Sequence, residues 1–398
     1  MAETSESPLW IQTVRAQIDP VTGGPTIYDD AMCRKYIDDI MASPSATSVL
    51  HTLRTLYDGR SPLDQNVHLI SFTRALHYAL QAITNTGTHE GRRRSPCLDS
   101  GIPEFCMDVI SKPDFFSECP LWTHNILAFL EHIVLICIEN RQSRKYVDIG
   151  NMLIDKSKAM LESTWRQREA WNRKDPFVTQ SDMRFRTIMP RMIIEFIELS
   201  TTCDRVYVMR RTHVVHIAVS LWYHTPLGEV HNPTLGLAAG HLHTSTTGDR
   251  PATDIKESAL DIFGAENLLR RFHRDLDDST MINEDLSICL QAINVFVLHP
   301  EVQTHVGPLE TYKHVFDALD RQKVNGLANH EFDIYSRAAV LLVLSSSAFP
   351  PSMCLKPMLE KYDLVGVMAR GAILCAENNC GKDNTGELTA PSSTALED

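Results

Sequence analysis

The chain has 398 residues, 43% of them hydrophobic and 22% charged, which is the composition of a folded globular protein. Its net charge of -12 argues against general DNA or RNA binding, where a basic face is expected, and disfavours attraction to anionic membranes. The start, MAETSESPLW, lacks a basic segment before an apolar core, so no secretory signal is expected. The scattered cysteines, 10 in all, are then expected as reduced and mostly buried thiols, in the cytosol or nucleus.

In chain order, residues 1–27 are expected as a partly ordered N-terminal segment, with Trp10, Ile11 and Val14 able to dock. Residues 28–375 are expected to form a helical-repeat domain. Its apolar segments 67–83, 124–140, 191–199, 284–298 and 333–344 have helical spacing and no period-two alternation. The most apolar stretch, 126–138, is expected to be too short for a membrane span, and it carries Glu131 and His132. Residues 85–102 and 225–253 are expected as long loops, and 101–110 as the opening of a helix. In the first loop, RRRSP (92–96) offers Ser95 as an accessible phosphorylation site, or is merely a charged loop. Pro190 is expected in the first turn of its helix, and Asn283 as an N-cap followed by the first-turn acids Glu284 and Asp285. Residues 205–223 are rich in β-branched side chains, but their length favours one helix. Residues 376–398 have the composition of a disordered tail.

A unit recurs. Residues 287–319 read as an apolar helix, a break at His299-Pro300, a link ending in Gly307-Pro308, and an amphipathic helix. Residues 126–161 repeat this order, with a break at 139–141 and a glycine at Gly150. Residues 336–368 form a looser copy, sharing Leu-Glu-x-Tyr-x-x-Val at 359–365 with 309–315. The helix–break–glycine–helix unit resembles the armadillo and HEAT repeats. That resemblance implies an all-α fold, an α-α superhelix of stacked helix pairs, and a non-catalytic scaffold or adaptor that binds proteins. The alternative is an irregular all-helical domain. The chain also resembles the helical part of fungal MYND-finger proteins, without the finger, so no zinc-ligand roles carry over.

Candidate chemistry is sparse. Residues 213–243 hold His213, His216, His224, His231, His241 and His243, six of 17 histidines. A metal site would need three or four converging ligands, and HVVH lacks the glutamate of His-Glu-x-x-His. These histidines are expected as structural or exposed, and a metal-dependent hydrolase is the enzymatic alternative. RDLDDST (274–280) superficially resembles a haloacid-dehalogenase nucleophile motif, but it follows a helix rather than a strand and is expected as a helix end and turn. Cys375 and Cys380 have no second pair to complete a zinc site. No nucleotide-binding or serine-hydrolase motif occurs, and no cofactor is expected. The preferred binding patch is Trp165, Arg166, Arg168, Trp171, Arg173 and Lys174, since tryptophan and arginine dominate binding hot spots. Residues 155–211 carry 12 basic and 8 acidic side chains, a local +4, so a nucleic-acid-associated regulator is a third possibility. The expected partner is a protein.

Overall fold

The computed structural model describes residues 30–43, 45–61, 66–85, 97, 101–172, 185–209, 212–224, 236, 255–325, 330–347, 350 and 353–382. Among these residues helices are the only regular secondary structure, with no strand. It divides into two compact units, Met1–Thr225 and Pro226–Asp398.

The first unit contains α1 (Asp30–Ala42), α2 (Ala46–Asp58), α3 (Val67–Asn85), α4 (Gly101–Ile110), α5 (Pro120–Glu139), α6 (Arg144–Arg166), α7 (Arg168–Asn172), α8 (Phe185–Thr202), α9 (Val206–Met209) and α10 (Val214–His224). Helices pack mainly against their next neighbour but one. One row runs α1–α3–α5–α8, and a second runs α2–α4–α6 and on to α9 and α10. The sequence explains this. Tyr146, Ile149, Leu153, Ile154, Met160 and Leu161 recur at helical spacing and are all buried on one face of α6. Burying each such aliphatic side chain contributes roughly 1.5–3 kcal/mol, and a lone helix has nowhere to bury them.

The central helix α5 is longer than its apolar stretch suggested. Pro120 sits in its first turn, and Asn140 ends it, donating from its backbone N–H and its side chain to the Ile136 carbonyl. By length and composition alone, Leu121–Glu139 could cross a bilayer, so the expectation that this stretch is too short does not hold. In the fold, 78% of it is buried, as befits a core helix flanked by α3, α4, α6 and α8.

Gly150 does not mark the opening of a helix. It lies inside α6, where a Cβ would fall 3.2 Å from both Cys203 Sγ and Leu199 Cδ1. Its missing side chain lets α6 approach the end of α8. Pro190 is likewise inside α8 rather than in its first turn. It forgoes one backbone hydrogen bond, and buried Met189, Met192 and Ile193 hold the helix in place. Residues 205–223 are two helices, not one. Thr212 Oγ1 donates to the Met209 carbonyl at 2.7 Å and accepts from Val214 N at 3.3 Å, a local bond that competes with a continuous helix.

From Lys256 on, the described residues of the second unit form a π-helical turn (Lys256–Leu260) and α11 (Asp261–Phe263), then α12 (Ala265–Leu276), α13 (Asn283–Val297), α14 (Pro300–Val306), α15 (Thr311–Asn325), α16 (Glu331–Ser347), α17 (Leu355–Lys361) and α18 (Leu364–Lys382). α16 packs between α13 and α18, and α12 packs on α13, α14 and α15. Arg337 of α16 donates to the Ser287 carbonyl and Oγ on α13 at 2.8 and 2.5 Å. Asn294 of α13 donates back to the Arg337 carbonyl at 2.9 Å.

The order long–short–long recurs in α13–α14–α15 and α16–α17–α18, with His299 capping α14 by accepting from Glu301 N. The 126–161 copy differs, because α5 passes to α6 with no helix between. Nor do the two Leu-Glu-x-Tyr-x-x-Val motifs occupy equivalent places. Tyr312 is in the first turn of α15, whereas Tyr362 follows α17, and Val315 is buried while Val365 is 67% exposed. The N-cap position of α13 is Ile282, with Asn283 already helical.

Two boundaries move. α4 begins at Gly101, shortening the 85–102 loop, and Cys97 within that loop is fully buried. α18 continues to Lys382, into the segment expected as a tail. The 225–253 loop lies outside the described residues apart from Gly236, where a Cβ would fall 3.0 Å from Ile288 Cγ2 of α13. Residues 1–27 and Ser95 lie outside them as well.

Candidate functional site

The C-terminal end of α6 is held by Gln167. Its side-chain carbonyl accepts from Phe116 N at 2.9 Å, and its amide donates to the Lys112 carbonyl at 2.7 Å and Ser163 Oγ at 2.9 Å. Phe115 and Phe116 anchor that neighbouring segment in an aromatic cluster with Trp122 and Tyr57. Arg60 lies 3.7 Å above the Tyr57 ring and forms a two-point ion pair with Glu118 at 2.8 Å. This frame sets where α6 stops and where Trp165 and Arg168 point.

Trp165 is half-buried and Arg166 is exposed, paired with Glu162 one turn earlier at 2.5 Å. Arg168 begins α7, with its guanidinium 4.6 Å from the Trp165 ring centre. Trp171 is in α7, but its side chain lies outside the described residues, as do Arg173 and Lys174. The proposed patch is therefore represented by Trp165, Arg166 and Arg168.

Tertiary packing joins this patch to the histidines. Trp165 stacks on His213 at 6.1 Å between ring centres and meets His216 edge-on at 5.2 Å. The two imidazoles are 4.8 Å apart. His213 is not helical; its carbonyl accepts the first α10 bond from Ile217 N. Burial holds His216 down to about 4. His213 is also lowered, mainly by burial, with Glu162 opposing and Arg166 adding to the effect. Both rings are thus neutral at pH 7, and no described protein group hydrogen-bonds to either Nδ1. His224, the third ligand considered, lies along the same helix, ~12 Å from His216 by the helical rise. It cannot close a site with that pair. His231, His241 and His243 lie outside the described residues. Among the described residues, no group of three or more His, Cys, Asp or Glu is placed to hold a metal ion.

The acidic run of the second unit is structural. Asp275 forms a buried ion pair with Arg271 at 2.6 Å, and Asp277 binds His314 Nδ1 at 2.7 Å. Asp278 accepts from Thr280 N and Oγ1, closing a turn after α12. His314 stacks on His273 at 4.1 Å, and His273 Nε2 meets Thr311 Oγ1 at 2.9 Å. Burial, with His314 beside it, holds His273 at about 4.

One cluster went unrecognised in the sequence. Glu131 of α5 and Glu195 of α8 are 4% and 8% exposed. Arg191, 64% exposed, reaches in from α8 to within 2.5 Å of Glu131 Oε1. His77 of α3 and His132 of α5 line the same row, with ring centres 6.0 Å apart. Each residue sits inside an apolar helical run, where a lone polar residue reads as a surface position. Only the spacing Arg191–Glu195, one turn on one helix, hints at the pairing.

The fold and these clusters define an all-helical protein. No protein family, no curated protein and no solved structure matches the chain.

Proposed function

We propose that the chain is a non-catalytic helical-repeat scaffold of the armadillo/HEAT kind, an α-α superhelix that binds a protein partner in the cytosol or nucleus. The observation that carries this reading is the two-row packing of the first unit, α1–α3–α5–α8 beside α2–α4–α6–α10. Stacked rows of this kind bury one continuous core and present one helix layer as an extended surface. The long–short–long order of α13–α15 and α16–α18 supports it in the second unit.

Within that scaffold the binding patch is the rim around Trp165 with Arg166 and Arg168, continued in sequence by Trp171, Arg173 and Lys174. Trp165 is already engaged by His213 and His216, so its exposed edge and the guanidinium of Arg168 are what a partner would meet. The test is quantitative capture of partners from the native cell with the wild-type chain and with W165A/R168A. Partners lost only with the variant support the patch, and unchanged capture excludes it. Solution scattering that fits an elongated curved body supports the superhelix, and a compact spherical profile removes it.

A further inference from the structure

We propose that Glu131 and Glu195 share a single proton, and that this proton holds α8 onto α5. Two carboxyl groups this deeply buried cannot both carry charge at an affordable electrostatic cost. Among the described residues one cation, Arg191, accompanies them, and one proton would complete neutrality. The geometry agrees. Arg191 Nη2 lies 2.5 Å from Glu131 Oε1 as an ion pair, and Glu195 Oε2 is buried with no hydrogen-bond partner among the described residues. An added carboxyl proton on one acid supplies the missing donor for the other.

The charged and titratable surroundings are few. Among the described residues, Arg191 and Glu198 of α8 act on the pair. His77 of α3 and His132 and His124 of α5 lie along the same seam, where His77 is held at about 4 by burial and by His132, His124 and Arg191. Burial also lowers His132, with Arg191 adding to it, so His77 and His132 are neutral and do not supply the proton at pH 7. On the other side α6 meets α5 and α8 through Gly150, Cys137, Leu199 and Cys203, which bring no charge at neutral pH. Burial, then the Glu131 charge, push Glu195 up to about 9, and burial also raises Glu131.

The direction of the pH effect follows. The closed seam binds the proton more tightly than the open one, where a glutamate returns to its ordinary value near 4.5. The proton's stabilising effect is complete below that value and is lost as pH rises towards about 9. Opening α8 releases one proton in that window, so its opening equilibrium rises about tenfold per pH unit.

Amide hydrogen exchange on the full chain, corrected for intrinsic rates, reads this directly. The α8 amides around Met192, Ile193 and Phe196 are expected to show the tenfold slope between about pH 6 and about pH 8, and E195Q is expected to abolish it. E131Q, which removes the neighbouring charge, is expected to end the window at lower pH. Infrared spectra at neutral pH should contain a protonated-carboxyl band in the wild type that E195Q removes. Equal slopes in wild type and E195Q, or a wild type without that band, overturn the proposal. If E195Q does not fold, the wild-type band and the E131Q shift still decide it.

Discussion

Single side chains in this protein are tuned mainly by burial. His77, His216 and His273 are each held at about 4, below the usual imidazole value of 6.5. A lowered histidine contributes stability that is present above 6.5 and is lost as pH falls towards 4, because the unfolded chain then binds protons the folded one refuses. Denaturant midpoints are therefore expected to fall between pH 6.5 and pH 4. H216F, which keeps an aromatic ring against Trp165, should lessen that fall, and an unchanged pH profile would show that His216 does not titrate this way. Gln167 is the other residue with a clear expected cost. Q167A removes the buried bonds that the Gln167 side chain makes to Phe116 N, the Lys112 carbonyl and Ser163 Oγ, so a loss of about 1–3 kcal/mol is expected by urea titration. Apart from Glu131 and Glu195, these environments were partly legible: His213 and His216 among valines already suggested half-buried histidines. That Trp165 would be what covers them was not, since 48 residues separate Trp165 from His213.

Among elements, α6 shows how local propensity and packing oppose each other. Alanine at 150 would gain about 1 kcal/mol of helix propensity. It would also place a Cβ 3.2 Å from Cys203 Sγ and Leu199 Cδ1, and overpacking costs roughly 1–3 kcal/mol. G150A is expected to be destabilised overall, with a lower thermal midpoint; a rise would mean the α6–α8 contact yields freely. The glycine was visible as part of a repeated pattern, but spacing could not say whether it starts a helix or admits a neighbour. The same holds for Thr212, whose bond to Met209 and Val214 divides a run that length alone assigned to one helix.

For the whole molecule, the thiols give a readout of both compact units. Cys106 in the first unit and Cys289 in the second are completely buried, and burial pushes both thiols far above their ordinary range. Cys137 is pushed up to about 12 by burial and by Cys203. Cys119, Cys203 and Cys375 are only half-buried. A maleimide reagent is expected to modify these three in the native protein and to reach Cys106 and Cys289 only in denaturant. Native labelling of either, mapped by peptide mass spectrometry, would contradict the buried cores.

The all-helical class was written in the sequence by itself, because a 3.6-residue apolar period and capping residues act within a few neighbours along the chain. So was the solvation pattern: acidic overall, with a locally basic stretch at 155–211. The joining of Trp165 to His213 and His216, the carboxyl pair of α5 and α8, and the close approach at Gly150 were decided only by tertiary structure. Each depends on which helix face meets which, and that follows from the combined burial of many side chains across rows rather than from the spacing within any one segment.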